Sequence, residues 1–260
     1  MAQSFAALKK SRSSSLDKLV SETTKINAPA EGSSEDTRFW KPSVYKAGNG
    51  YAVIRFLPEP KGEDLPWVRV FSHGFQGPAG KWYIENSLTT FNEKDPVSEY
   101  NYTLWNNGTE AGKEQARKQK RRLNYIANIY VVKDPANPEN EGQVKLYKFG
   151  KKIFDKLTEK MNPEFEDETA TNPFDFWEGA DLKLKNRNVE GYRNYDKSEF
   201  AEVSPLLDGD DSKLETVYDS MFSLQEFLDR KHFKTYSELQ AKLDMVLGLA
   251  GATATAPSVM

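Results

Sequence analysis

The rhythm of polar and apolar positions changes three times along this chain. Over residues 1–36 core-forming side chains are sparse, and only Leu16, Leu19 and Val20 in SLDKLVSETTK fall at helical spacing, so this stretch reads as a flexible basic arm. From about residue 39 short β-type runs alternate with turns: YAVIRFL (51–57), PWVRVFSHGF (66–75), KWYIE (81–85), LNYIANIYVV (123–132), QVKLYKFG (143–150) and ADLKLKN (180–186). KDPANPENEG, between the fourth and fifth runs, reads as a surface loop. KKIFDKLTEKM then places Ile153, Phe154, Leu157 and Met161 on one helical stripe that Pro163 ends, with the acidic loop EFEDE (164–168) after it. Beyond Pro205 the period is helical in LETVYDSMFSLQEFLD and YSELQAKLDMVLGLA, and GATATAPSVM reads as a frayed tail. Strands followed by helices predict an α+β fold whose β core, over residues 37–205, is a barrel or a sandwich, with helices over 206–250 packed on it and a tail at 251–260.

Composition narrows the chemistry. A chain with 38% hydrophobic and 12% aromatic residues can build a core, and its lack of cysteine excludes disulfides, thiolate-held zinc, iron–sulfur clusters and thiol catalysis. The N-terminus has no apolar signal core, and MVLGLAGATATA (245–256) is too short and too rich in small residues to span a bilayer, so the reading is cytoplasmic with no membrane partner. Charge is unevenly spread: residues 1–158 carry 25 Lys/Arg against 18 Asp/Glu, and residues 159–260 carry 11 against 21. A basic portion joined to an acidic one points to a polyanion partner for the first. The steepest local concentration is KEQARKQKRR (113–122), with six cations and one glutamate at the mouth of a strand.

No phosphate-binding loop, zincin helix, nucleophile elbow or complete dinucleotide fingerprint occurs, and with two histidines any acid–base chemistry would rest on carboxylates. What recurs instead is aromatic residues interleaved with cations on the β-type runs: Arg55; Trp67 with Arg69; Lys81 with Trp82 and Tyr83; Arg121 and Arg122 with Tyr125; Tyr147 with Lys148; Lys151 and Lys152 with Phe154; Tyr192, Arg193 and Tyr195. Unpaired bases stack on aromatic faces while Lys and Arg neutralise phosphates, and neither interaction needs a particular base. In YAVIRFL, Ile54 and Phe56 share one face, which turns Arg55 to the other as a candidate phosphate contact. No helix combines a basic face with base-reading side chains at recognition-helix spacing, so single strands suit the chain better than duplex. Two other classes stay open on the residues alone: a scaffold for replication proteins with incidental nucleic-acid affinity, and a magnesium nuclease using carboxylates such as Asp134 or Asp181.

The stretches AGNGYAVIRFLP, HGF followed by KWYIE, YIANIYVVKDPANPENEG, YKFGKKIFDK and GYRNYDKSEF resemble the single-stranded DNA-binding proteins of T4-type bacteriophages, in the same order over roughly residues 40–250. The resemblance implies an OB-fold core, a five-stranded Greek-key barrel, with an extra loop subdomain at about 73–122. It further implies cooperative, sequence-tolerant coating of single-stranded DNA during phage replication, recombination and repair, with no catalysis and no cofactor. Carried onto this sequence, it makes Trp82, Trp105, Tyr125, Tyr147, Phe154, Tyr192 and Tyr195 groove aromatics. Arg55, Lys81, Lys120, Arg121, Arg122, Lys148, Lys151 and Lys152 become the cations on phosphates. It also implies that KKSRSSS (9–15), with Lys9, Lys10, Arg12 and Ser13, contacts the neighbouring subunit head-to-tail, and that the partners are single-stranded DNA, other copies of the chain and phage replication and recombination proteins in the cytoplasm of an infected bacterium.

The chain departs from the family in three places. Phe154 and Ile126 stand where the family often has tryptophan, and the segment Trp105 to Lys120 is longer than usual. The family also implies a structural zinc held by one histidine and three cysteines; here His73 stands with Ser87, Asp95 and Ser98 in the cysteine positions. Serine hydroxyls are poor zinc ligands, so no zinc is expected, and Leu88, Phe91, Val97, Tyr100, Tyr102 and Leu104 are the candidates to hold the subdomain by packing.

Overall fold

In the computed structural model of the chain, residues 36–44, 49–165, 167–189 and 191–249 are described. The arm at 1–35, with its KKSRSSS motif, and the tail at 251–260 lie outside them. The chain divides after Thr37, and the description that follows concerns the unit after that point.

Each of the six β-type runs forms a strand where its alternation places it: β2 (Gly50–Phe56), β3 (Val68–Gln76), β4 (Trp82–Asn86), β5 (Arg122–Lys133), β6 (Val144–Phe149) and β7 (Ala180–Val189). The short strands β1 (Phe39–Trp40), β8 (Tyr192–Asn194) and β9 (Glu199–Val203) complete a nine-stranded sheet. Its path runs β1-β6-β5-β2-β7-β8, with β3 pairing β5 and β4, and β9 pairing β7. All pairings are antiparallel except β1 with β6. The long β5 organises the sheet: one edge pairs with β6 from Tyr125 to Tyr130, while β3 takes residues 122–126 and β2 takes 129–133.

Helix α1 (Pro96–Asn106) and helix α2 (Glu110–Gln119) fill the connection between β4 and β5, where the apolar pattern predicts neither. Their signals are local: Asp95 accepts from the Val97 and Ser98 amides with Pro96 in the first turn, and Thr109 caps α2 through the Gly112 amide. Helix α3 (Lys151–Met161) follows β6 as its stripe predicts. The C-terminal helical pattern resolves into α4 (Asp211–Asp219) and α5 (Tyr236–Leu247), with 3-10 turns at Gln225–Leu228 and Arg230–His232 between them.

Alternation divides β5 between two cores. Tyr125, Ala127, Ile129 and Val131 pack with Trp40, Ile54, Phe56, Tyr147, Phe149 and Leu184 under α3, whose Ile153 and Leu157 close that side. Ile126 faces the other way, with Val68, Val70 and Leu146, against Leu224, Leu239, Leu243 and Val246 of the C-terminal segments. Burying each such aliphatic side chain contributes about 1.5–3 kcal/mol. The same face holds the buried Asn128, whose amide donates to the Phe222 carbonyl at 2.8 Å and accepts from the Phe222 amide at 2.9 Å, fastening a distant segment to mid-sheet. Gly77 is needed where α5 ends, because a Cβ there would lie 2.0 Å from the Val246 carbonyl oxygen.

Of the side chains expected to hold the 73–122 region by packing, Leu88 and Val97 are buried and Phe91 and Tyr100 partly so. Tyr102 is 74% exposed and takes no part, because it lies on the solvent side of α1.

Candidate nucleic-acid interface

The register of β3 on β5 puts Arg69 opposite Tyr125 and Phe71 opposite Leu123, so these four side chains share one face of the sheet. At that edge lies a cleft of about 510 Å³ lined by Trp67, Arg69, Phe91, Tyr125, Phe154 and Leu228, among others. Phe154, half-buried on α3, stacks on Tyr125 with ring centres 3.9 Å apart and planes 4° apart, and Trp67 meets it edge-on at 5.4 Å. Tyr125 is itself buried, so it backs Phe154 and does not offer an open face of its own. The ring at the cleft surface is the phenylalanine.

Continuing along β3, the Arg121 guanidinium lies over the Phe71 ring at 4.1 Å, with Arg69 over the same ring at 5.7 Å. Arg122 donates to the Gly74 carbonyl at 3.0 Å. Gly74 pairs with Ile84 and Gln76 with Trp82, so Arg122, Ile84 and Trp82 share the exposed face of the β3–β4 ribbon. Trp82 is 57% exposed. Arg122 pairs with Ser72, so the Phe154–Phe71–Arg121 group and the Arg122–Ile84–Trp82 group lie on opposite faces of β3. Lys120 and Lys81 are exposed next to Arg121 and Trp82 in the chain.

Other expected residues lie on separate ground. Trp105 is half-exposed on α1 with Arg117 of α2 over its ring at 5.4 Å. Tyr192 is 79% exposed on β8, in a hairpin that the Arg187–Asp196 pair braces at 2.6 Å, and Tyr195 packs partly against the α3-side core. Lys151 and Lys152 are exposed on the first turn of α3, with Lys151 bonded to Asp155.

Three expectations are corrected by burial and register. Arg55 does point away from Ile54 and Phe56, but that face is covered: the side chain is 1% exposed and donates to Asp181 Oδ1 at 2.7 Å, the Asp175 carbonyl at 3.3 Å and the Ser204 carbonyl at 3.0 Å. It is a structural cation, not a phosphate contact. Tyr147 is 2% exposed, its ring packed among Trp40, Phe56 and Phe149, and burial raises its hydroxyl well above the usual tyrosine range. Lys148 pairs with Ile126 and so lies on the opposite face of the sheet from Tyr125 and Phe149. In the other direction, sequence spacing alone gives no role to Phe71, Ile84 or Arg117; the signal for Phe71 was its place two residues from Arg69 on an alternating strand.

The carboxylates of the nuclease alternative are also occupied. Asp181 pairs with Arg55, and Asp134, buried, accepts from the Trp40 indole at 2.8 Å and the Asn140 amide at 3.0 Å.

His73, Ser87, Asp95 and Ser98 do converge, but as a hydrogen-bonded cluster. The His73 Nδ1 donates to the Gln119 carbonyl at 3.0 Å and Nε2 lies 3.3 Å from Asp95 Oδ1. The Asp95 carboxylate accepts from the Ser87 hydroxyl at 2.9 Å and from the amides of Leu88, Val97 and Ser98 at 3.1 Å each. Burial works to raise the Asp95 carboxyl, yet His73 and these donors outweigh it and hold the group below the usual carboxylate range. Zinc does not fit this donor set. One imidazole stands beside a carboxylate whose oxygens are committed to protein donors, and neutral hydroxyls cannot supply the missing ligands. Among the described residues no three His, Cys, Asp or Glu side chains form a metal-binding group.

Exposed aromatic rings beside guanidinium groups on a mixed α+β sheet suit the binding of an extended, negatively charged, aromatic-bearing chain. Comparison with known proteins gives that class its family. A profile described as gp32 DNA binding protein like matches residues 48–247, and the chain belongs to this family, which places it among binding proteins and not enzymes. The single-stranded DNA-binding protein of Enterobacteria phage T4 is 40% identical over 243 residues, covering 92% of this chain and 80% of the relative. That of Enterobacteria phage T2 is 41% identical over 229 residues, covering 86% and 76%. That of Escherichia phage SV14 is 49% identical over 70 residues, covering 26% and 61%. Among the described residues no helix is long and apolar enough to cross a membrane.

Proposed function

We propose that this chain binds single-stranded DNA, without strong sequence preference, during phage DNA replication, recombination and repair in the cytoplasm of the infected host. The observation that carries this reading is the group of Phe154, Phe71, Arg121 and Arg69 on one face of β3, with Arg122 and Trp82 exposed on its other face. Rings accept unpaired bases and guanidinium groups take the phosphates, whereas paired bases would present neither face. Trp105 with Arg117 and the Tyr192–Tyr195 hairpin are further contacts at the two flanks of this reading.

The core is an OB-type barrel in this proposal. Supporting it are a long central strand shared among three partners and an interior to which β1, β2, β5, β6, β7 and α3 all contribute. Head-to-tail association through residues 9–15 of the basic arm is also proposed. Its support is the motif's family resemblance, and deleting residues 1–20 should remove cooperativity on long strands while leaving affinity for a single-site oligonucleotide.

Titration of oligo-dT against duplex at several salt concentrations tests the main reading. The single strand should be preferred, with a log–log salt slope of about −0.7 per neutralised phosphate. Equal binding to duplex, or binding indifferent to salt, would refute it.

A further inference from the structure

We infer that the Asp95 carboxylate does in this chain the cross-linking that a structural metal would do, and that it thereby positions the basic lip Lys120–Arg122. A metal joins separate segments by drawing their side chains to one point, and Asp95 meets that description. It accepts from the Ser87 hydroxyl and the Leu88 amide in the turn after β4 and from the first amides of α1, and its Oδ1 lies 3.3 Å from His73 Nε2 on β3. The cluster is dry: Ser87 is 0%, Asp95 1%, His73 2% and Gln119 4% exposed. In such surroundings a carboxylate with charge-assisted bonds to several donors is a strong tie, and removing it leaves buried donors unmatched.

The link to the lip runs through one atom. The Gln119 carbonyl, the last of α2, accepts from both His73 Nδ1 and the Asn101 side-chain amide at 3.2 Å. The next residues are Lys120, Arg121 over Phe71, and Arg122 on the Gly74 carbonyl. Asp95 lies against His73, His73 donates to the end of α2, and the end of α2 leads directly into the three cations of the lip. Asp95 and His73 are positioning residues; neither touches the ligand. The positioning half of this inference rests on the DNA-binding reading above, while the metal half does not.

Two arms test it. In the first, the unaltered chain is washed with chelator, assayed for metal by elemental analysis, and melted with and without added zinc. Zinc should be far below one ion per chain and Tm should move by less than about 1 °C either way, against several degrees for a ligand that stabilises a folded state. Stoichiometric zinc surviving the wash, or a Tm that chelator lowers, overturns the inference. In the second, Asp95→Asn keeps the size and much of the helix cap but removes the charge opposite His73 and an acceptor for Ser87. Its Tm should fall by roughly 4–8 °C, with amide-exchange protection lost over residues 87–90 and 119–122 and kept at 127–131. The salt slope of oligo-dT binding, measured well below Tm, should become shallower by about 0.7–1.4 as one or two lip cations leave the phosphates. An unshifted Tm overturns the clasp, and a lowered Tm with an unchanged slope overturns the positioning. Should Asp95→Asn not fold, His73→Gln, which retains a donor for the Gln119 carbonyl, is read by the same criteria. Failure of the unaltered chain to prefer single strands would sink the proposed function, and the metal and melting results would still decide the clasp.

Discussion

Replacing Arg55 with methionine separates two readings of the same residue. Alternation along β2 makes Arg55 a candidate phosphate contact, while the structure buries it at 1% exposure with donors to Asp181, Asp175 and Ser204. Methionine retains much of the stem and none of the donors. Breaking a buried ion pair on one side costs about 3–5 kcal/mol. Asp181 keeps 22% of its side chain in water, which moves the cost towards the low end of that range. Two carbonyls left without a donor add roughly 1 kcal/mol each. A loss of about 5 kcal/mol in a chain of this size corresponds to a Tm lower by roughly 10 °C or more. Calorimetry reads the melting point, and anisotropy of a labelled oligo-dT at several salt concentrations, taken well below Tm, reads binding. The folded variant should bind with the affinity and salt slope of the unaltered chain. The reasoning is refuted if Tm barely moves while affinity drops and the slope becomes shallower by about 0.7, the signature of one lost phosphate contact.

Other substitutions divide along the same line between surface and interior. Trp82→Ala should leave Tm within about 2 °C, since the side chain is 57% exposed, and weaken oligo-dT binding by about 1–3 kcal/mol with little change in salt slope, as an isothermal titration would show. Arg121→Gln should make the slope shallower by about 0.7, and a steeper or equal slope would remove it from the phosphate track. Tyr147→Ala should cost about 3–5 kcal/mol in denaturant unfolding and spare the affinity of the folded fraction, because its ring is packed among Trp40, Phe56 and Phe149.

Strand positions were legible because their signals are local. LNYIANIYVV becomes the middle of β5 and KWYIE becomes β4, each bounded within two residues of its turn. Helices α1 and α2 were not legible from apolar rhythm. Tyr100, Tyr102 and Trp105 give α1 a strand-like composition, and α2 buries only Gly112, Ala116 and Gln119, so no apolar stripe marks it. Their caps were readable all the same: Asp95 before Pro96 and Thr109 before Glu110 are helix starts on chemistry alone.

The candidate site divides on a different principle. Period-two alternation says which side chains share a face but not whether that face meets water, since the cover comes from elsewhere in the chain. Leu57, two residues beyond Arg55, packs with Phe176, Leu206, Leu214 and Val217, all more than a hundred residues on, and that C-terminal cover is what makes Arg55 interior. Trp82 and Arg122 have no such cover, because α5 packs on the other face of β4, against Tyr83 and Glu85, and not across the face that holds Ile84. The aromatic and cationic residues that can meet a ligand are therefore those whose face the C-terminal segments leave bare. Exposure here is a property of residues 170–249 as much as of the strands that carry the site, which is why strand pattern alone assigns Arg55 and Arg121 the same chemistry and the fold gives them opposite ones.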